Sequence, residues 1–310
     1  MSAPLRIIFI GTPEFAAESL KLILKNQFNV VAVITAPDKP SGRGLNIKYS
    51  AVKEIALEAN LPILQPLNLK DEQFLNELKS FNADLQVIIA FRMLPEVVWN
   101  MPKLGSINLH ASYLPQYRGA APINWAIING EKETGLTTFF LKHEIDTGDI
   151  ILQEKISISD KENAGELHDR MMHEGAKLVV KTLKEIEAGT AKEKPQRLTE
   201  NLKHAPKIFP DTCKISWEES AEALYNKIRG LSPYPGAFCM LGGKKFKIYS
   251  SELSDGEKIN SGQFRKDKNG LTVKCGNGSL LLHDVQLEGK KRMHSSDFIR
   301  GYEFSSDRFD

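Results

Sequence analysis

GSINLHASYLPQYRGAAP, residues 105–122, reads as a short buried strand that ends in polar residues and does not continue as a helix. Asn108 and His110 alternate with Ile107 and Leu109. Alternate side chains of a strand share a face, so the two polar groups point the same way. A loop with Ser112, Pro115, Arg118 and Gly119 follows, and Ala120, Ala121 and Pro122 open the next helix. Taken singly, Asn108 reads as a turn residue and His110 as a satisfied structural histidine. Together, at the carboxyl end of a buried strand, they read as a site, because ligands of open α/β sheets bind outside those ends.

The flanking sequence supplies the sheet. Residues 5–10 form an apolar strand, and Thr12-Pro13-Glu14 predicts a helix start with Thr12 as N-cap and Pro13 at the first helical position. A helix to about Lys25 and a strand over 30–35 complete a pattern that predicts a parallel, doubly wound sheet. The first turn has one glycine, Gly11, and no G-x-G-x-x-G, which disfavours a dinucleotide-binding dehydrogenase. Residues 37–49 form a loop with Lys39, Arg43 and Lys48, long enough to be functional. Helices over 51–60 and 71–81 flank a short strand at 62–65. Residues 84–90 are the most apolar strand, predicted to be central, and Phe91-Arg92-Met93-Leu94-Pro95 leads from it into a short helix.

Further on, a strand over 136–141 runs into Asp146-Thr147-Gly148-Asp149, and another strand follows. Asp and Gly are turn formers, so this turn has an ordinary structural reading. An aspartic-protease reading is weak, because the Asp-Thr-Gly triplet has no second copy. A long amphipathic helix covers 163–188. His168 and His173 on it are five apart, unlike a metal-ligating pair, and read as packing or surface residues. Residues 189–206 are polar and Lys-rich, as in a linker. A helix over 220–229 and strands over 237–241, 245–250, 262–265, 271–275 and 279–287 then predict a small barrel. The expected partition is 1–188, a linker over 189–206, and 207–310.

Composition narrows the class. The 310 residues suffice for two ordinary domains, and 41% hydrophobic with 26% charged residues is a soluble globular balance. No apolar run is long enough to span a bilayer, and the first is too short for a signal-peptide core, so a cytoplasmic protein is expected. Three cysteines without a C-x-x-C spacing indicate neither a disulfide framework nor a zinc site. A net charge of +2 does not by itself mark a nucleic-acid binder. The clusters Lys244-Lys245-x-Lys247, Arg265-Lys266-x-Lys268 and Lys290-Lys291-Arg292 read, on charge alone, as solvated faces.

Several motifs resemble the folate-dependent formyltransferases: Asn108-x-His110, Ser112-Tyr113-Leu114-Pro115, Tyr117-Arg118-Gly119-Ala120-Ala121-Pro122 and Asp146-Thr147-Gly148-Asp149. Four more resemble the branch of that family that acts on methionyl-tRNA. They are Gly11-Thr12-Pro13-Glu14-Phe15, the stretch from Pro37 to Gly44, Ile215-Ser216-Trp217 with Asn226-Lys227-Ile228-Arg229-Gly230, and Pro233-Tyr234-Pro235-Gly236-Ala237. The resemblance covers nearly the whole chain. At Arg92 the chain departs from the family pattern, an aromatic residue followed by glycine, and is one residue shorter.

The resemblance implies a Rossmann-like formyltransferase domain followed by an OB-like β-barrel. The implied donor is 10-formyltetrahydrofolate, with no metal, and the implied acceptor is the amine of methionyl initiator tRNA; a monomer is expected. Formyl transfer needs donors for a developing oxyanion and a route for protons. By resemblance Asn108 and His110 stabilise the oxyanion and Asp146 assists proton transfer. Ser112, Tyr113, Leu114, Pro115, Phe91 and Arg92 are expected to border the folate. Lys39, Arg43, Arg118, Lys244, Lys245, Lys290 and Lys291 are expected to hold the RNA through phosphates and shape. Other members of the family act on an amino sugar or glycinamide ribonucleotide; the 39–44 loop and the Trp217 and Arg229 region argue against them. A non-catalytic RNA-binding protein on the same fold would lack one of the three catalytic residues, and all three are present.

Overall fold

The computed structural model of the chain describes residues 4–41, 46–197, 200–255 and 258–310. Its first elements are β1 (Arg6–Gly11), α1 (Glu14–Lys25), β2 (Asn29–Ile34), β3 (Lys39–Ser41), β4 (Asn46–Lys48), α2 (Ala51–Glu58) and β5 (Ile63–Leu64). Then come α3 (Glu72–Ser80), β6 (Leu85–Ile89), α4 (Glu96–Trp99), β7 (Ser106–His110), β8 (Arg118–Gly119), α5 (Pro122–Ile128), β9 (Glu133–Phe140), β10 (Ile150–Ser157), α6 (Ala164–Glu187) and β11 (His204–Ala205). The remainder is α7 (Pro210–Cys213), α8 (Ala221–Gly230), β12 (Ala237–Leu241), β13 (Lys244–Ile248), β14 (Ser251–Ser254), β15 (Phe264–Asp267), β16 (Gly270–Lys274), β17 (Ser279–Leu282), β18 (Asp284–Leu287), β19 (Met293–His294) and α9 (Ser295–Gly301).

Seven strands form one sheet in the order β10-β9-β7-β6-β1-β2-β5. β1, β2, β5, β6 and β7 run parallel, whereas β9 is antiparallel to β7. The strand expected to be central, β6, occupies the middle position. Every residue of β6, and all of β1 after Arg6, is buried, as a parallel sheet covered on both faces requires. Ile8, Ile10, Ala32, Ile34 and Ile88 pack with Phe74 and Leu78 of α3 and Val98 of α4. On the other face Thr138 of β9 bonds Thr182 of α6 through their hydroxyls at 2.7 Å.

The first helix begins differently from the expectation. Pro13, not Thr12, is the N-cap, with no side-chain cap bond. Its carbonyl accepts the amides of Ala16 at 3.0 Å and Ala17 at 3.1 Å. The turn is tight because Gly11 lies against the helix: a Cβ there would stand 2.6 Å from Ala16 Cβ and 2.9 Å from the Ile89 carbonyl.

By contact density the chain forms two compact units that are not contiguous in sequence. One comprises Met1–Arg118, Gly135–Ile156 and His168–Lys203; the other comprises Gly119–Thr134, Ser157–Leu167 and His204–Asp310. The first holds the seven-stranded sheet. The second holds two four-stranded antiparallel sheets, β12-β13-β18-β19 and β14-β17-β16-β15, around one apolar core. Phe246, Phe298, Phe309 and Trp217 form its aromatic centre.

The single strand read over 279–287 is two. The ladder of β17 ends at Leu282 and that of β18 begins at Asp284, so the chain changes sheets at His283. β14 and α9 carry no strong pattern in sequence; α9 is held through Phe298, packed on Phe246 at 5.2 Å between ring centroids. Within the second unit, Arg229 ties α8 to the Ser157–Leu167 segment. Its guanidinium donates to the Glu162 carbonyl at 3.0 Å and to Asn226 Oδ1 at 2.9 Å.

Candidate active site

From β1 the chain moves outward through β2 to β5, then returns to place β6 on the other side of β1. Strand order reverses there, and β6 and β7 end side by side next to that point, where open α/β sheets take their ligands. In register, Asn108 lies beside Ile88 and Leu109 beside Thr138. Asn108 and His110 therefore share the α3–α4 face, while Leu109 faces α6. Asn108 is half-buried, and among the described residues its side-chain amide has no hydrogen-bond partner.

His110 is buried, and its two nitrogens are differently engaged. Nε2 lies 2.9 Å from the Tyr117 carbonyl. A carbonyl can only accept, so Nε2 carries a proton. Nδ1 faces Asp146 Oδ2 at 3.8 Å, with side-chain exposures of 8% and 15%. That separation exceeds a direct hydrogen bond but keeps the pair within reach of a shared group or one water. The two residues thus meet on one face at the strand ends.

Asp146 sits in a turn held at several points. Its φ is 56°, a left-handed conformation that few residues other than glycine, asparagine and aspartate adopt readily. Gly148 is required sterically: a Cβ there would lie 1.5 Å from the Phe140 carbonyl of β9. Lys142 pairs with Asp149 at 2.8 Å across the base of the loop, and Thr147 Oγ1 donates to the Glu144 carbonyl at 2.9 Å. At the far side, His143 meets Glu96 of α4 at 3.2 Å. Gln196, which sequence reasoning passed over as part of a linker, donates to the carbonyls of Asp146 and Gly148.

The residues expected to border the folate fall into two kinds. Ser112 and Leu114 are buried and pinned to the sheet. Thr137 Oγ1 donates to the Ser112 carbonyl at 2.7 Å, and Gln153 Nε2 donates to the Leu114 carbonyl at 2.8 Å. Pro115 and Phe91 are half-buried, and Tyr113 is exposed. Arg92 is exposed, and its guanidinium donates to the carbonyls of Pro66 at 2.6 Å and Leu67 at 3.1 Å.

The basic residues expected to hold RNA are more dispersed. Lys39 is exposed on β3, and Arg43 lies outside the described residues. Arg118 is half-buried, with its guanidinium on Gln196. Lys244, Lys245, Lys290 and Lys291 are all exposed and are brought together at one end of a sheet. Lys244 and Lys245 open β13, whose partner β18 leads into the turn with Lys290 and Lys291, and Glu288 N donates to the Lys245 carbonyl at 2.9 Å.

Residues 5–183 match the family model described as formyl transferase, and residues 207–303 match that of the formyl transferase C-terminal domain. The methionyl-tRNA formyltransferase of Flavobacterium johnsoniae is 53% identical over 308 residues, 98% of each chain. That of Bacteroides fragilis is 50% identical over 313 residues, covering 96% of this chain and 95% of its own. Among solved structures, the sugar 3N-formyl transferase WlaRD, determined with dTDP and 5-N-formyl-THF, superimposes with a TM-score of 0.68. It is 22% identical and covers 94% of this chain and all of its own, a likeness of fold. With both of its domains matched and half of its residues shared with such relatives, the chain belongs to the formyl transferase family.

Proposed function

We infer that this protein transfers the formyl group of 10-formyltetrahydrofolate to the α-amino group of methionyl initiator tRNA. The observation that carries the reading is identity near 50% along the whole length of relatives that bear the name methionyl-tRNA formyltransferase. The site fits such a donor. The Asn108 amide, without a hydrogen-bond partner among the described residues, and the Nδ1 edge of His110 stand together at the strand ends, where a carbonyl oxygen needs donors.

When bound, the donor supplies an activated formamide whose carbon passes from one nitrogen to another. Asn108 Nδ2 and His110 Nδ1, when protonated, donate to the oxygen on which negative charge develops. Such a donor contributes about 10²–10³ in rate. The Tyr117 carbonyl holds the His110 ring through Nε2, so that Nδ1 is the nitrogen that addresses the reacting group. Asp146 Oδ2 accepts a proton from the attacking amine, directly or through one water, and passes it towards the departing nitrogen. The backbone of the Ser112–Leu114 segment, fixed by Thr137 and Gln153, walls the donor site beside Pro115, Tyr113, Phe91 and Arg92. Lys39, Arg43, Arg118, Lys244, Lys245, Lys290 and Lys291 contribute charge to RNA binding. Acting on aminoacylated tRNA, the protein works in the cytoplasm, as a monomer.

The test is formylation of methionyl initiator tRNA beside methionyl elongator tRNA, with 10-formyltetrahydrofolate. The initiator is expected to be formylated preferentially. Asn108→Ala is expected to lower kcat about 10²–10³-fold while donor and RNA dissociation constants stay near wild type. Transfer to an amino-sugar nucleotide with none to the tRNA would overturn the reading.

A further inference from the structure

Gln196 lies in the stretch whose composition marks it as a connection, yet its side chain is fully engaged within the sheet-bearing unit. Nε2 donates to the Asp146 carbonyl at 2.8 Å and to the Gly148 carbonyl at 2.9 Å. Oε1 accepts from Arg118 Nε at 3.1 Å and Nη2 at 2.5 Å. A primary amide has two N–H donors and one carbonyl, so every group has found a partner. We propose that Gln196, itself held by Arg118, is a positioning residue that sets the Asp146 carboxylate against His110. The proposal rests on the proton-handling reading of Asp146 given above.

Three observations carry it. First, the carbonyls of Asp146 and Gly148 converge on one nitrogen. Without a donor between them these dipoles repel, and the left-handed conformation of Asp146, at φ 56°, loses a restraint. Secondly, the backbone next to Gln196 is itself fastened. Lys194 and Ile150 exchange both of their backbone hydrogen bonds, at 2.8 and 2.9 Å, which places Gln196 beside the start of β10. Thirdly, the same length of chain serves the other member of the pair. The Lys203 carbonyl accepts from Tyr117 N at 2.7 Å, and the Tyr117 carbonyl accepts from His110 Nε2. Lys194, Gln196 and Lys203 therefore brace both sides of the 3.8 Å gap between His110 and Asp146.

The chemistry demands glutamine. Glutamate would keep the length and suit Arg118, but would turn an anion towards two carbonyls. Asparagine has the same groups on a stem one methylene shorter. A displacement of the order of 1 Å at a reacting group can lower a rate by about 10².

Gln196→Glu and Gln196→Met are compared with Asp146→Asn and with the double variant Asp146→Asn, Gln196→Glu. Melting temperature, donor binding and kcat are measured for each. Gln196→Glu is expected to lower kcat up to about 10²-fold with donor dissociation constant and melting temperature close to wild type. Gln196→Met provides the same reading without the new charge. The decisive result is the double variant. If Gln196 acts through Asp146, the double variant is no slower than Asp146→Asn alone. Losses that multiply, or Gln196 variants at full speed beside a slow Asp146→Asn, overturn the proposal while leaving Asp146 in its role. An Asp146→Asn enzyme at full speed overturns the reading of Asp146, and the proposal with it.

Discussion

At the scale of single residues, the site depends on groups whose conformations are imposed by neighbours. Asp146 is left-handed, and Gly148 two residues on has no room for a side chain. Gly148→Ala must push the turn away from the Phe140 carbonyl. The expected cost is about 1–3 kcal/mol of stability together with a fall in kcat, read by thermal melting and by single-turnover transfer. A variant with wild-type melting and turnover would mean that the turn can shift without moving Asp146. The spacing of Asn108 and His110 announces their common face. The partner of His110 Nε2 does not announce itself, since Tyr117 contributes through its backbone carbonyl, which any residue carries.

At the scale of elements, the chain entering β3 is anchored at Asp38, next to Lys39, by a polar network. Asp38 pairs with Lys53 of α2 and accepts from Gln65 Nε2 at 2.9 Å, while Lys53 Nζ donates to Gln65 Oε1 at 2.8 Å. The Lys53 hydrogen bond, then that of Gln65, holds the Asp38 carboxyl below the usual carboxylate range. A depressed carboxylate stabilises the fold above its unfolded pKa of about 3.9, and that contribution is lost as pH falls through the lower folded value. Asp38→Asn is therefore expected to melt below wild type at pH 7, with the difference closing below about pH 4. Equal melting temperatures at pH 7 would show that the network contributes nothing to the fold. In the second unit, Arg229 is buried, and replacing it removes its bonds to the half-buried Glu162 carbonyl and to Asn226 Oδ1. Arg229→Met is expected to cost about 1–3 kcal/mol, measured by denaturant unfolding.

At the scale of the whole molecule, two properties test the architecture. Cys213, Cys239 and Cys275 are all free and buried. Burial pushes the Cys275 thiol up to about 12 and raises those of Cys239 and Cys213. In the folded protein at pH 8 all three should resist a thiol-specific reagent, and all three should react together on unfolding. Rapid labelling of any one under native conditions would contradict the packing of the second unit. The second is the proposed RNA binding at the lysine cluster formed by the start of β13 and the turn after β18. Loss of two phosphate contacts in Lys290→Ala, Lys291→Ala is expected to reduce the salt slope of tRNA binding by about 1.5, with donor binding unchanged. An unchanged slope would leave those lysines as a solvated face.

What the sequence by itself determined is whatever depends on local pattern. Apolar runs of strand length separated by helical periodicity specified the parallel sheet, because burial on both faces demands them. Alternation in β7 specified that Asn108 and His110 share a face, since the strand repeat is two residues. Only the tertiary structure decided what depends on chain segments far apart. It set the 3.8 Å approach of Asp146 to His110, the change of sheets at His283, and the engagement of Gln196 with a turn 50 residues earlier. Gln196 reads as linker because a polar side chain in a polar stretch looks solvated. Its bonds go to backbone carbonyls and to Arg118, and their convergence on Gln196 exists only once β10 has brought the turn and the segment after α6 side by side.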